Sequence, residues 1–222
     1  MKKTFNIMVP HKSSAPARLW VAGVIGLAWL GGAWISVQAE TVAGPETDRQ
    51  VALMQRVLTT GFNALAEERI ERATRIFEEA VNRWPAQWDA RFGLATAYIK
   101  AHRYAEAVDL FERLLDEEPD DFAVLNNLAW LHATANDAVY RNGDRAVDFA
   151  QRALMLEPDN YHIWSTLSEA HFVKGNFERS ARAAQQALLL AARRNARQLL
   201  VQDFREQLTR ARRAAQAFAI LD

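Results

Sequence analysis

The feature that most constrains the fold is a set of residue columns that recur about every 34 residues. The prolines after Pro45 lie at Pro85, Pro119 and Pro158, which are 34 and 39 residues apart. Small and large apolar residues repeat in register with them, at Gly61, Ala95, Ala129 and Ser168, at Ala73, Ala107, Ala146 and Ser180, and at Phe77, Phe111, Ala150 and Ala184. A fixed period of this length is typical of a chain built from stacked supersecondary units.

The residue types in these columns predict a pair of antiparallel helices in each unit. Small side chains let two helices approach closely, and the large apolar ones between them fill the ridges of the contact. Each proline follows a helical stretch, where its ring and its missing N–H end the helix. Such a hairpin cannot bury its apolar face alone, so successive units are expected to stack.

These columns resemble the tetratricopeptide repeat, a unit of 34 residues. The clearest copy is WDARFGLATAYIKAHRYAEAVDLFERLLDEEP, from Trp88 to Pro119, and the resemblance covers roughly residues 54–192. Its family-like positions are Leu94, Ala95, Tyr98, Tyr104, Ala107, Phe111 and Pro119. The resemblance implies an all-α protein, a right-handed α-solenoid of about four hairpins. It also implies that the first helix of each unit lines a concave surface that holds peptides or partner helices.

The repeat fixes approximate boundaries for the elements. We call the first helix of each unit helix A and the second helix B. The A helices are predicted at about 49–66, 88–101, 121–134 and 161–174, and the B helices at about 70–84, 104–117, 144–156 and 177–192. The repeat domain is therefore 49–192, with units at about 54–87, 88–121, 122–160 and 161–192. Residues 193–222 are predicted to form a C-terminal capping helix, because 196–218 carries one apolar stripe.

Two departures from the repeat affect the expected structure. The fourth unit has Ala192 where the others end in proline, so its B helix is expected to run on or to bend near Asn195. The third unit carries five extra residues in a loop around 135–143, with Asn142–Gly143 as its turn. This insertion is interpreted either as a contact loop or as a tolerated lengthening of the turn, since loop length costs little.

An acidic run lies at the turn between the second and third units. Its members are Asp116, Glu117, Glu118, Asp120 and Asp121. We interpret the run as a solvated edge with an N-terminal cap for the next helix, because acidic side chains stabilise helix N-termini. This interpretation is preferred to a cation site.

The N-terminus predicts export from the cytoplasm. Residues 1–18 carry four basic residues and no acid, and 19–37 form an uncharged run, LWVAGVIGLAWLGGAWISV. The triplet that ends at Ala39 fits a signal-peptidase site, so 1–39 is interpreted as a signal peptide. The run is also just long enough for a single membrane-spanning anchor. A buried core helix is the third interpretation. Residues 40–48 are predicted to be a polar linker, and the body is placed in the bacterial periplasm or cell envelope.

Composition and charge exclude several function classes. The chain has no cysteine, which excludes disulfides and thiol chemistry. Beyond Ala39 there are 23 basic and 27 acidic residues, and a mildly acidic body does not favour nucleic-acid binding. No phosphate-binding glycine loop or hydrolase motif is present. His132 and His171 share one repeat column, but a metal site would need further ligands. We therefore predict no catalytic residue, no cofactor and no small-molecule substrate.

The A helices supply the predicted partner-binding surface. One row of equivalent positions holds Leu58, Phe92, Asn126 and Ser165, and a second holds Phe62, Thr96, Trp130 and Glu169, with Asn127 and His162 beside them. Asparagine can bond to a peptide backbone, and phenylalanine and tryptophan can anchor a partner. The competing interpretation is that these aromatic residues only pack between units. A clamp of Lys, Asn and Arg for a terminal carboxylate is not expected, since a single position matches it.

The function predicted from the sequence is a non-enzymatic scaffold or adaptor that binds a peptide or helix of another protein. The alternatives are an assembly or chaperone factor for exported proteins and an accessory subunit of an envelope enzyme complex. Contact with a membrane is expected only through residues 19–37, if they are not cleaved.

Overall fold

The computed structural model describes residues 29–30, 33–34 and 45–220. These residues divide into two compact units, one that ends at Arg56 and one that begins at Val57. The first contains the antiparallel strands β1 (Trp29–Leu30) and β2 (Ala33–Trp34) and the start of helix α1. The second contains the rest of α1 and all later helices.

The described residues form nine helices whose bounds follow the repeat. The A helices are α1 (Pro45–Ala66), α3 (Trp88–Lys100), α5 (Phe122–Thr134) and α7 (Tyr161–Val173). The B helices are α2 (Ile70–Arg83), α4 (Tyr104–Glu117), α6 (Gly143–Leu156) and α8 (Phe177–Arg193), and α9 (Gln198–Phe218) follows. The predicted right-handed α-solenoid of four hairpins and a capping helix is confirmed.

The N-terminal predictions are only partly within the described residues. Helix α1 begins at Pro45, so residues 45–48 are helical and do not belong to the predicted linker. Proline is tolerated in the first turn because the N–H that it lacks has no partner there. The predicted cleavage site at Ala39 and most of the run 19–37 lie outside the described residues. No helix of the described part combines the length and apolarity needed to cross a bilayer.

A single buried ring shows how small residues set the distance between helices. Phe77 of α2 is fully buried. A Cβ built on Gly61 of α1 would lie 2.7 Å from this ring, and one built on Gly93 of α3 would lie 2.2 Å from it. The backbones of two consecutive A helices therefore contact the same phenylalanine. This geometry confirms the predicted role of Gly61 and adds Gly93, which sequence reasoning did not assign to packing.

Side chains at the turns begin several helices. The Oδ1 atom of Asp121 accepts hydrogen bonds from the N–H groups of Ala123 and Val124, both at 2.9 Å, which confirms the predicted cap on α5. Asn142 was predicted to form a turn with Gly143. It instead caps α6, where its Oδ1 accepts from the N–H groups of Asp144 and Arg145. The helix begins at Gly143. A Cβ built on Gly143 would lie 3.1 Å from Lys174, so the two residues approach closely.

The insertion of the third unit is held by bonds at both ends. The backbone N–H of Asn136 donates to the Tyr104 hydroxyl at 3.1 Å, and Nδ1 of His132 lies 2.8 Å from the Tyr140 carbonyl oxygen. The rings of Tyr104 and Tyr140 are 5.6 Å apart. At the outer end, Val139 is 84% exposed. The loop is therefore fixed against the second unit and presents an apolar tip to solvent.

The C-terminal end of the stack has the predicted extension. Helix α8 continues past Ala192 to Arg193, and Asn195 then adopts a left-handed conformation with φ 49°, so the chain turns where the proline is absent. Helix α9 packs on α8 through Phe204, which is buried with Ala187 and Ala191. This contact covers the apolar face that a further repeat would otherwise cover.

Candidate partner-binding surface

The structure buries most of the side chains that were predicted to bind a partner. The buried members are Leu58, Phe92, Thr96, Asn126, Asn127, Trp130, Ser165 and Glu169, all with exposed fractions of 7% or less. Phe62 and His162 are half-buried. The rows lie on the A helices α1, α3, α5 and α7. Their burial agrees with packing between elements, and their contact with a partner stays a prediction.

The phenylalanines of the rows have neighbours within the stack. Phe92 stacks on Trp88 with ring centroids 4.9 Å apart and meets Phe111 of α4 edge-on at 5.7 Å. Phe62 makes an edge contact of 5.0 Å with Phe77 of α2. Aromatic pairs in this geometry add stability beyond the burial of their surface. Both side chains therefore contribute to the contact between A and B helices.

The polar members of the second and third units form a weak chain. Nδ2 of Asn127 lies 3.4 Å from the Thr96 hydroxyl, and Nδ2 of Asn126 lies 3.4 Å from Oδ1 of Asn127. Two buried polar atoms here, Oδ1 of Asn126 and Nε1 of Trp130, have no hydrogen-bond partner among the described residues. Asn126 and Trp130 are four residues apart on α5, so they share one face of the helix.

These two atoms require a physical explanation. A buried polar atom without a partner costs roughly 1–3 kcal/mol, so native proteins keep few of them. One is an acceptor and the other a donor, which are the two functions of a peptide group. The pair can therefore be satisfied by a backbone amide or by water.

The fourth unit satisfies its polar residues through α9. Glu169 accepts hydrogen bonds from Arg210 at 2.5 Å and from Gln207 at 2.8 Å, and the Ser165 hydroxyl donates to Gln207 at 2.9 Å. The Arg210 guanidinium lies over the Phe172 ring at 4.2 Å. Sequence reasoning found Ser165 and Glu169 but missed Gln207 and Arg210. Both residues lie beside the apolar stripe of α9, but the stripe does not say which helix it covers.

Three histidines of the A helices, His132, His162 and His171, have lowered pKa values. Burial lowers the pKa of His162 to about 4, and burial also lowers the pKa of His132 and of His171. All three are therefore neutral at pH 7. His132 uses Nδ1 for the Tyr140 carbonyl and stacks on Phe149 at 6.0 Å. Within the described residues, no three His, Cys, Asp or Glu side chains are placed to hold an ion.

Comparison with known proteins agrees with this architecture. Residues 64–131 match the family model of the tetratricopeptide repeat. A stretch of 121 residues, 54% of the chain, is 25% identical to Superkiller protein 3 of Schizosaccharomyces pombe. The match spans only 9% of that protein.

Two solved structures share the fold. A thermophilic TPR protein from Thermus thermophilus is 20% identical, with 71% of this chain and 80% of that chain covered and a TM-score of 0.60. A chain of the APC/C hetero-tetramer Cut9–Hcn1 is 17% identical, with 75% of this chain and 31% of that chain covered and a TM-score of 0.65. The likeness concerns the fold, which is that of tetratricopeptide-repeat solenoids. Proteins with this repeat generally mediate protein–protein interactions and are typically non-enzymatic scaffolds.

Proposed function

We propose that this tetratricopeptide-repeat stack is a non-enzymatic scaffold or adaptor that binds a peptide or helix of another protein along its A helices. The observation that supports the proposal most is the unpartnered pair on α5, Oδ1 of Asn126 and Nε1 of Trp130. A backbone amide of the partner donates to Asn126, and a backbone carbonyl accepts from Trp130. The neighbouring Thr96 and Asn127 extend the polar row toward α3.

Binding at this row includes a rearrangement of the protein. Asn126 is fully buried and Trp130 is only 3% exposed, so a partner reaches them after the covering side chains move. Association that waits for such a change is slower than the usual range of roughly 10⁵–10⁷ M⁻¹s⁻¹ for protein pairs. Moving the covering side chains costs free energy. Hydrogen bonds from the partner to Oδ1 of Asn126 and Nε1 of Trp130 offset that cost.

Photocrosslinking tests the proposed surface. A photoreactive amino acid replaces Thr134, one turn from Trp130 on α5, in one sample and Arg113, an exposed residue of α4, in a matched control. We expect a defined protein to be captured from position 134 and not from position 113, and the Asn126→Leu change to reduce the yield. Capture through the B-helix position alone would refute binding on the A helices.

A second set of measurements separates the adaptor from the alternatives. An adaptor or accessory subunit forms a complex of fixed stoichiometry with one partner. An assembly or chaperone factor binds several exported proteins weakly and releases them when they fold. Mass measurement of the crosslinked products distinguishes one partner from many.

We further propose that the repeats work outside the cytoplasm, in the periplasm or cell envelope of a bacterium. The proposal is supported by the basic lead, the uncharged run 19–37 and the small residue Ala39. The mass of the mature protein tests it, because a chain that begins at Glu40 has lost a signal peptide. A full-length chain that extracts with the membrane has kept an anchor. A full-length chain in the cytoplasmic fraction would contradict export.

A further inference from the structure

A second concave surface lies away from the A-helix rows, where three elements meet. The turn between α7 and α8, the first turns of α8 and the last turn of α9 enclose an open concavity of about 340 Å³. This volume is at the lower end of ligand pockets, which measure roughly 300–1,000 Å³. We call it the α8–α9 concavity. Gly175, with φ 80°, allows the sharp turn at its edge.

The apolar wall of the α8–α9 concavity is aromatic. Phe177 meets Phe218 edge-on with ring centroids 5.6 Å apart, and on its other side it meets Phe172 at 5.2 Å. Phe218 keeps 55% of its surface exposed. A large aromatic ring fixed by a neighbour and open to solvent is the kind of anchor surface that binding sites use. The wall can therefore take one further large apolar side chain.

The rim of the concavity is cationic. Arg179 and Arg182 line the rim. They are three residues apart on α8, and both are exposed. Arg182 faces Glu178 at 3.8 Å with both side chains at least 69% exposed, and such a pair contributes little. Arg179 has no ion pair among the described residues. The first turn of α8 adds partial positive charge, because the Asn176 side chain does not cap it.

The field of these cations acts on a neighbouring histidine. His171 is 5% exposed, and its Nδ1 atom has no hydrogen-bond partner among the described residues. Burial lowers the pKa of His171, and Arg179, Lys174 and Arg182 lower it further. Of these three cations, Lys174 is paired with Asp144. At the rim, Glu178 offsets part of the charge of Arg182, and Arg179 has no ion pair among the described residues.

We propose that the α8–α9 concavity binds a segment of a partner protein in which a carboxylate stands beside a large apolar side chain. The apolar side chain packs on Phe177 and Phe218, and the carboxylate pairs with Arg179 and Arg182. Charge complementarity selects acidic segments over neutral or basic ones. This site shares no residue with the A-helix rows, so the stack can hold two segments at once.

Fluorescence anisotropy with labelled peptides tests the site on the full chain. The probe is Gly-Ser-Asp-Trp-Leu-Glu-Gly-Ser, and the control peptide carries Lys in place of both acids. We expect saturable binding of the acidic probe that weakens as salt is added, and no saturation by the basic peptide up to roughly millimolar concentration.

Matched variants assign the binding to the concavity. The double change Arg179→Glu with Arg182→Glu should weaken binding of the acidic probe by at least about tenfold. Ala215→Trp, which fills the concavity, and Phe218→Ala, which removes its open wall, should each weaken binding without a large change in melting temperature. Arg113→Ala should leave binding unchanged, because Arg113 lies on the exposed face of α4.

The control for charge is a second double change, Arg193→Glu with Arg205→Glu. Both of these arginines are exposed: Arg193 ends α8 and Arg205 lies within α9, and neither lines the concavity. The two double variants change the net charge by the same amount. Because Arg193 and Arg205 do not line the concavity, this variant should bind the acidic probe with the affinity of the wild type within about twofold. Equal losses in the two double variants, or equal binding of the two peptides, would overturn the proposal.

Discussion

At the scale of single residues, the repeat places tiny side chains where helices meet, and one ring shows the consequence. Phe77 is fully buried between Gly61 and Gly93, which belong to consecutive A helices. Glycine inside a helix costs up to about 1 kcal/mol relative to alanine. The close approach of the ring compensates for that cost, because no β-carbon fits in the space.

Gly93→Ala should therefore destabilise the stack although it favours the helix. The new Cβ would lie 2.2 Å from Phe77, and overpacking of this kind costs about 1–3 kcal/mol. We expect a lower melting temperature by circular dichroism. The double variant Gly93→Ala with Phe77→Leu should lose less than the sum of the single changes, because the smaller side chain makes room. Full additivity in this cycle would contradict the contact.

Buried histidines predict a loss of stability in mild acid. The pKa of His162 is about 4 in the folded protein and about 6.5 in the unfolded chain. Between these values the unfolded state binds more protons, so the free energy of unfolding falls as the pH falls. The difference between the two pKa values of His162 corresponds to a loss of at most about 3 kcal/mol in the free energy of unfolding.

Denaturant titrations from pH 8 to pH 4 measure this dependence. Between pH 6.5 and pH 4, the free energy of unfolding of His162→Gln should fall less than that of the wild type. Part of the fall should remain, because His132 and His171 also have lowered pKa values. Denaturant titration at pH 8, where none of the three histidines is protonated, measures the effect of the substitution on stability apart from histidine protonation. Parallel curves for the two proteins would contradict the assignment to His162.

At the scale of elements, α9 is joined to α7 by side-chain bonds as well as by apolar packing. Glu169 is 5% exposed, and its carboxylate accepts hydrogen bonds from Arg210 and Gln207. Further along the stack, inter-unit ion pairs are exposed, as between Arg103 and Glu78 at 3.1 Å and between Arg145 and Glu112 at 3.0 Å. Such surface pairs contribute little, so the buried carboxylate is the polar contact with the largest consequence.

Arg210→Ala should destabilise the protein by about 2–3 kcal/mol, because it leaves Glu169 buried with one partner. The effect is smaller than for a fully buried pair, since the Arg210 side chain is 39% exposed. Chemical denaturation measures it, and Arg205→Ala on the exposed face of α9 serves as the control. Equal effects of the two changes would show that the contact with Glu169 is unimportant.

At the scale of the whole molecule, each repeat depends on its neighbour to bury its apolar face. Helix α9 covers Ala187 and Ala191 with Phe204 and presents a mostly polar outer face. The cap therefore stabilises the hairpin formed by α7 and α8.

A chain that ends at Ala196 should lose the stability that α9 provides. Burial of Phe204 and Leu208 alone corresponds to roughly 3–6 kcal/mol, and we expect the melting temperature to fall by about 10 °C. Differential scanning calorimetry measures the change, and a chain that ends at Ala219 is the control. An unchanged transition without α9 would contradict its role as a cap.

The sequence by itself determined the repeat, the hairpins and their boundaries. Helix α1 begins at Pro45 and not at 49, and α6 begins at Gly143 and not at 144, because a proline or a cap acts through backbone bonds that periodicity does not report. The spacing of small and large residues was sufficient to predict the fold, because the pattern is local and repeats in each unit.

Only the tertiary structure decided which side chains are covered and by what. It buried Asn126 and Trp130, paired Glu169 with Arg210, and brought Phe177 beside Phe218. Periodicity identifies the apolar or polar face of one helix, but the partner of that face comes from an element far away in sequence. The contacts of the binding surfaces therefore depend on how the helices stack, which a pattern within each helix does not specify.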